Sequence, residues 1–145
     1  MNFVHCAAHT ASGKTFAKRA VVIHGGRMSI MADPSNPIDF SVFQQLEARV
    51  GRITSVEIAE GCRVSAYKLE LDFGPEIGTR RSIAQATNYP PEALLGRQVL
   101  AVVNFKPRQI GKHISEVLVL GVPTKEKGTA LVVPEMEAIL GGRLF

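Results

Sequence analysis

An all-β fold with short helices follows from three observations. One stretch alternates apolar and polar residues without error, two Val-rich runs are continuously apolar, and turn residues recur between them. The alternating stretch is Tyr67-Lys68-Leu69-Glu70-Leu71-Asp72-Phe73, the pattern of a strand with one face in the core and one in water. The apolar runs lie at 99–103 and 117–120, and continuous runs of this kind suit strands buried on both faces.

The remaining elements fall between these anchors. Asp39 suits the N-cap of a short helix over 40–46, whose Phe40, Phe43 and Leu46 repeat at a spacing of three and share a face. A strand over 50–58 follows; its alternation slips between Val50 and Ile53, and Gly51 at the slip is the expected bulge. After the alternating strand, Gly74-Pro75-Glu76-Ile77-Gly78 makes a turn into a third strand over 80–86. Pro90-Pro91-Glu92-Ala93-Leu94-Leu95-Gly96 predicts a short helix. Proline fits its first turn, Glu92 complements the positive helix end, and Gly96 supplies a left-handed stop. Strands over 98–105, 115–122 and 129–134 complete the chain. A short helix between the third and fourth strands is the arrangement of the oligonucleotide-binding (OB) fold, a five-stranded Greek-key barrel, here with N- and C-terminal extensions.

Residues 1–38 have a different texture. They carry four cations, one acid and the turn-rich segment Asp33-Pro34-Ser35-Asn36-Pro37, which reads as a linker. A flexible basic arm, a targeting segment, and an over-long gene start with Met28 or Met31 as initiator all suit that composition. Arginine is sparse for a presequence, so a disordered arm or an over-long start is expected, leaving 39–145 as one OB-type domain.

Composition bounds the function. With 145 residues, 46% of them apolar and 21% charged, the chain is long enough for one ordinary globular domain. No apolar run approaches the roughly 18 residues of a membrane span, so no membrane insertion is expected. Two cysteines without CxxC spacing predict free thiols in a reducing, cytoplasmic setting. The net charge of +4 resides mostly in 1–38, because residues 39–145 hold 13 cations against 12 acids. Anion binding by the domain must therefore come from local clustering.

Several motifs carry little. Ser12-Gly13-Lys14-Thr15 resembles the end of a P-loop, but Ala8 stands where the first glycine belongs. His5, Cys6, His9 and His24 match no zinc spacing, so neither a metal nor a cofactor is expected. Within 39–145, one histidine and one cysteine, with no GxSxG and no paired carboxylates, make an enzyme unexpected.

The stretch that does carry chemistry is Asn104-Phe105-Lys106-Pro107-Arg108-Gln109-Ile110-Gly111-Lys112, a polar loop between the two apolar runs. Lys106, Arg108 and Lys112 cluster there, and the next acid is Glu116. Pro107 stiffens the loop and lowers the entropy lost on binding. Arg80 and Arg81 form a second cluster on the third strand. Alternation puts them on opposite faces, so only one is expected to join a common surface, with Arg80 the candidate. Phe105 and Tyr89 are candidate stacking surfaces for unpaired bases.

Arg49-Val50-Gly51-Arg52-Ile53, followed by the 67–74 stretch, resembles the opening of the tRNA-binding domain family. That family includes appendages of methionyl- and phenylalanyl-tRNA synthetases and the EMAP II-type cytokine precursors. Ser82-Ile83-Ala84-Gln85-Ala86-Thr87, the 104–110 loop and Ser115-Glu116-Val117-Leu118-Val119-Leu120-Gly121 narrow the likeness to CsaA proteins. The resemblance, over roughly 40–145, implies a homodimeric secretion chaperone for unfolded or precursor polypeptides, working beside the secretion machinery, with a tRNA-binding OB domain. The alternative is a tRNA-binding module with no chaperone role. The resemblance carries binding roles onto Ser82, Gln85, Asn104, Pro107, Arg108, Gln109, Ser115 and Glu116, to which Arg80, Lys106 and Lys112 are added as cations. Lys106 replaces a proline usual in the CsaA pattern, and Lys112-His113-Ile114 replaces a small-and-aromatic segment. Phe40, Phe43, Leu46, Ile139, Leu140 and Leu144 are apolar residues outside the barrel strands and are expected at the dimer interface.

Overall fold

The computed structural model describes residues 36–145 together with the backbone of two short strands, β1 (Val21–His24) and β2 (Arg27–Ile30). These two pair antiparallel, with Val21 opposite Ile30. They belong to a unit that ends at Asp39, while residues from Phe40 onward form a second one. The expectations for the first 35 residues, including Ser12–Thr15 and the histidine grouping, otherwise lie outside the described residues.

The second unit begins with α1 (Phe40–Gln44), where Phe40 and Phe43 face each other with ring centroids 5.7 Å apart. Then come β3 (Ala48–Ile58), β4 (Tyr67–Asp72), β5 (Thr79–Ala84), the short α2 (Pro91–Leu94) and β6 (Gln98–Val102). A hairpin of β7 (Arg108–Ile110) and β8 (His113–Ser115) leads into β9 (Leu118–Val119). A second hairpin, β10 (Gly121–Pro123) with β11 (Thr129–Leu131), precedes the C-terminal segment. The central sheet runs β5-β4-β3-β6-β9, all antiparallel, and the chain just before β9 returns to β5 to make a nearly closed barrel. This is the all-β, OB-type architecture expected from the element order.

The strand patterns explain the core. Tyr67, Leu69 and Leu71 point inward from β4 while Lys68, Glu70 and Asp72 are half-exposed. Every residue of β6 is buried, as a strand covered on both faces requires. Leu94 from α2 plugs the interior beside Ile53, Phe73 and Val99. Gly96, at φ +79°, provides the left-handed stop that ends that helix.

Several element bounds differ from the sequence pattern. The register of β3 against β4 shifts between Ile53 and Ser55, so the bulge lies there and not at Gly51. Gly51 pairs regularly with Val99 and serves another purpose: a Cβ there would lie 2.7 Å from the buried Phe73 ring. The strand expected over 115–122 is divided into β8, β9 and β10, because the chain bulges at 116–117 and changes partner from β6 to β11 after Leu120. The C-terminal segment lies along the start of β3, with Gly141 N–H donating to Val50 O and Leu144 N–H to Ala48 O. Gly141 approaches the backbone so closely that a Cβ would meet Phe73 O at 2.6 Å.

Gly51→Val tests this packing. The added side chain meets a ring that cannot withdraw, so urea unfolding should show a loss of about 1–3 kcal/mol. An unchanged midpoint would contradict the close approach.

Candidate functional site

The β7–β8 hairpin stands apart from the central sheet, and its position is set by contacts at its base, its underside and its tip. At the base, Glu116 N–H donates to Arg81 O at 2.8 Å and Val117 N–H donates to the same oxygen at 3.3 Å. Two residues opposing one is a β-bulge, which bends the strand and turns the hairpin away from the barrel. The bulge leaves the outward N–H groups of Arg81 and Ile83 without a strand carbonyl. Side chains fill the gap: Arg81 N–H donates to Glu116 Oε2 at 3.0 Å, and Ile83 N–H to Ser115 Oγ at 3.1 Å.

Both serine hydroxyls then converge on Val117 O, Ser82 at 3.0 Å and Ser115 at 2.9 Å. Ser82 is 1% exposed and Ser115 9%, so these hydroxyls are committed to the frame. The structure thus places both expected site serines inside the frame, bonded to the backbone of Val117 and, for Ser115, of Ile83. Removing the Ser115 hydroxyl would strand a buried N–H, at a cost of about 1–3 kcal/mol. Asn104 is likewise a brace: it accepts from Glu47 N–H at 3.1 Å and donates to Gln45 O at 2.8 Å.

Beneath the hairpin, Ile110 and Cys62 pack against a small apolar cluster of Ala59, Ala66 and Ile83. At the tip, Gly111 at φ +59° lies so near the β3–β4 loop that a Cβ would meet Gly61 O at 2.7 Å. The His113 ring lies 2.9 Å from Glu60 O, and Lys112 Nζ is 3.5 Å from Glu60 Oε2. Gln109 closes the turn by donating to Gly111 O at 3.2 Å. The hairpin is thus held at both ends.

What this frame presents is a local excess of unpaired positive charge. Arg49, Arg52, Lys68, Arg81, Lys112 and Arg143 each hold a carboxylate. Lys106 and Arg108, both exposed beside Pro107, meet none among the described residues. Arg63, next to Cys62 in the β3–β4 loop, is also exposed and without one. Gln85 is exposed just beyond β5, and Arg80 is half-exposed, donating to Thr79 O at 3.0 Å. Arg63 was not foreseen, because nothing in sequence places its loop beside the hairpin.

Arg81 was also unforeseen as a partner of Glu116; its Nε lies 3.3 Å from the carboxylate. Chiefly the Arg81 backbone N–H holds Glu116 below the usual glutamate range, against an upward push from burial. The Arg81 guanidinium and the charge of Arg80 add to the lowering. Tyr89 is not a stacking surface. Its ring is covered by Arg97, whose Cζ lies 5.4 Å from the centroid, and its hydroxyl meets Leu131 N–H at 3.5 Å. Phe105 remains 50% exposed, and Val64 (54%) and Ile114 (46%) add apolar surface on the same two loops.

In an OB barrel, the loops joining strands one to two and four to five flank the ligand face. The 59–66 loop and the hairpin occupy those two positions. The family model described as "Putative tRNA binding domain" matches residues 48–143. The structure of the CsaA chaperone protein from Picrophilus torridus superposes with a TM-score of 0.71 at 39% identity, covering 75% of this chain and 100% of that one. The chain belongs to the tRNA-binding domain family and is CsaA-like. The chaperone CsaA structure from Bacillus anthracis str. Ames agrees, with a TM-score of 0.71 at 40% identity, covering 76% of this chain and 100% of that one. A methionine–tRNA ligase of Methanosarcina mazei is 28% identical over 107 residues, 74% of this chain. That match spans 15% of the ligase, so the likeness concerns one domain of a much longer protein.

The lowered Glu116 carboxyl stabilises the fold fully above the ordinary glutamate value, about 4.3, and less as pH falls through its lowered folded value. The gap between the urea midpoints of the protein and its Glu116→Gln variant should therefore hold steady near neutral pH and narrow progressively as pH is lowered below about 4.3. A gap that stays constant as pH falls below that value would contradict the assignment.

Proposed function

We propose that the chain is a non-enzymatic binding protein that holds structured RNA, tRNA foremost, on the face made by the β7–β8 hairpin, the 59–66 loop and β5. The observation that carries this reading is the pair of uncompensated cations, Lys106 and Arg108, on a hairpin braced at base and tip. A braced loop loses little entropy when it meets a phosphate backbone. Cations already neutralised by neighbouring carboxylates gain less from that encounter, so the unpaired ones dominate. Family membership supports tRNA as the RNA concerned.

Even with Arg63 on the 59–66 loop, three such cations per chain are few for firm RNA binding, and a homodimer doubles them. Support for a dimer comes from an apolar surface outside the barrel. Arg143 donates to Gln44 O at 2.6 Å and pairs with Glu47 at 3.2 Å, which fastens the C-terminal segment beside α1. Phe40 (67% exposed), Ile139 (84%), Leu144 (40%) and Phe145 (106%) are left in water. Phe43 and Leu46 are half-buried, and Leu140 packs against Gly74, so these three contribute less of the proposed interface.

A second reading rests on the apolar residues among the cations. Val64, Phe105 and Ile114 suit the side chains of an unfolded or precursor polypeptide, and the likeness to CsaA chaperones supports a chaperone role, which on this reading serves protein secretion from the cytoplasm. An aggregating client left unprotected at stoichiometric protein would remove this reading.

Tight RNA binding should depend on salt with a log–log slope of about −4 to −5 for six phosphate contacts per dimer. Arg108→Ala should weaken tRNA binding and make the slope shallower by roughly 1–2. Unchanged affinity and slope would refute the RNA reading. Light scattering should report a mass of two chains, and Phe40→Asp should shift it toward one; a monomeric wild type would refute the dimer.

A further inference from the structure

We infer that Ser115 and Glu116 are positioning residues: by standing in for strand carbonyls along β5, they set where the hairpin cations sit and do not themselves hold the ligand. The inference rests on the RNA-binding reading above and deepens it.

Three observations carry it. First, the outward N–H groups of Arg81 and Ile83 are satisfied only through the Glu116 carboxylate and the Ser115 hydroxyl, because the bulge removes the backbone carbonyls that a regular ladder would supply. The register between β5 and the returning chain is therefore specified by these two side chains together with the shared Arg81 O. Second, that junction is the covalent exit of the hairpin, one residue after β8, so a slip there carries β7 and β8 with it. Third, Glu116 is already engaged by Arg81 through both backbone and guanidinium, and its charge would repel a phosphate. A carboxylate is the wrong group to meet RNA directly, and the right group to hold two N–H donors of one arginine.

This assignment makes a prediction of sign. A carboxylate that merely stood beside bound RNA would repel it, and its removal would strengthen binding. A positioning carboxylate does the reverse. Filter-binding titrations with tRNA at several salt concentrations, on the full chain, read both affinity and slope. Glu116→Ala should raise the Kd by roughly threefold to tenfold and make the salt slope shallower, as Lys106 and Arg108 fall out of alignment. A fold-wide loss of stability would instead lower the active fraction and leave the slope alone. Glu116→Gln keeps one oxygen for the Arg81 N–H and should recover most of the affinity.

Amide hydrogen exchange separates failure of this inference from failure of the RNA reading. In Glu116→Ala the Arg81 amide, and in Ser115→Ala the Ile83 amide, should exchange roughly tenfold faster or more, with Leu69 and Leu71 unchanged. Equal or tighter tRNA binding by Glu116→Ala, or unaltered exchange at Arg81, overturns the positioning role. Absence of tRNA binding by the wild type overturns the RNA reading, and with it the ligand side of this inference. Exchange then judges the junction alone.

Discussion

The outer edge of β5 is the constraint from which the rest of the site follows. A five-stranded barrel this small must bring the chain after β6 back to β5, or leave a row of N–H and C=O groups unpaired. The returning chain meets that edge at a bulge, where Glu116 and Val117 share Arg81 O. The two N–H groups left over are capped by Ser115 and Glu116. Closure by side chains lets the preceding segment leave the barrel wall as a separate hairpin. Had a regular ladder continued through 113–117, that segment would lie flat against β5 and its cations would be drawn into the strand.

Charge is sorted by the same geometry. Carboxylates occupy the frame: Glu47 takes both Arg49 and Arg143 at the C-terminal seam, Glu116 takes Arg81 at the barrel seam, and Glu60 takes Lys112 at the hairpin tip. Exposed pairs of this kind add little stability, typically under about 1 kcal/mol each. Their larger consequence is to decide which cations are neutralised locally and which are not. Among the cations that meet no carboxylate, Lys106, Arg108 and Arg63 lie on two adjoining loops. A domain that is almost neutral as a whole can thus offer a positive face.

Local patterns in the sequence carry the strands well and the site less well. Tyr67 to Phe73 alternates because its two faces meet different media, and residues 98–102 are uniformly apolar because both faces are covered. The bulge in β3 was misplaced because glycine marks two different needs. Gly51 yields space to Phe73, whereas the extra residue near Thr54 carries no special side chain. The β7–β8 hairpin showed itself as a stiff basic loop, since Pro107 and Gly111 are local signals. Which polar residues are free and which are committed was not legible. Ser82, Asn104, Ser115 and Glu116 look like ligand contacts in one dimension. Their partners at Val117, Gln45, Glu47, Ile83 and Arg81 are visible only once the barrel closes. Tyr89 was misread for the same reason, since its cover, Arg97, arrives from beyond α2.

The most direct measurement is backbone amide NMR of the full chain during titration with tRNA. The largest shift changes should fall on residues 61–64, 85 and 105–112, with those of 125–127 and the Ala138–Leu144 segment left in place. Changes concentrated on 125–127, with the hairpin undisturbed, would contradict a ligand face built on β7 and β8.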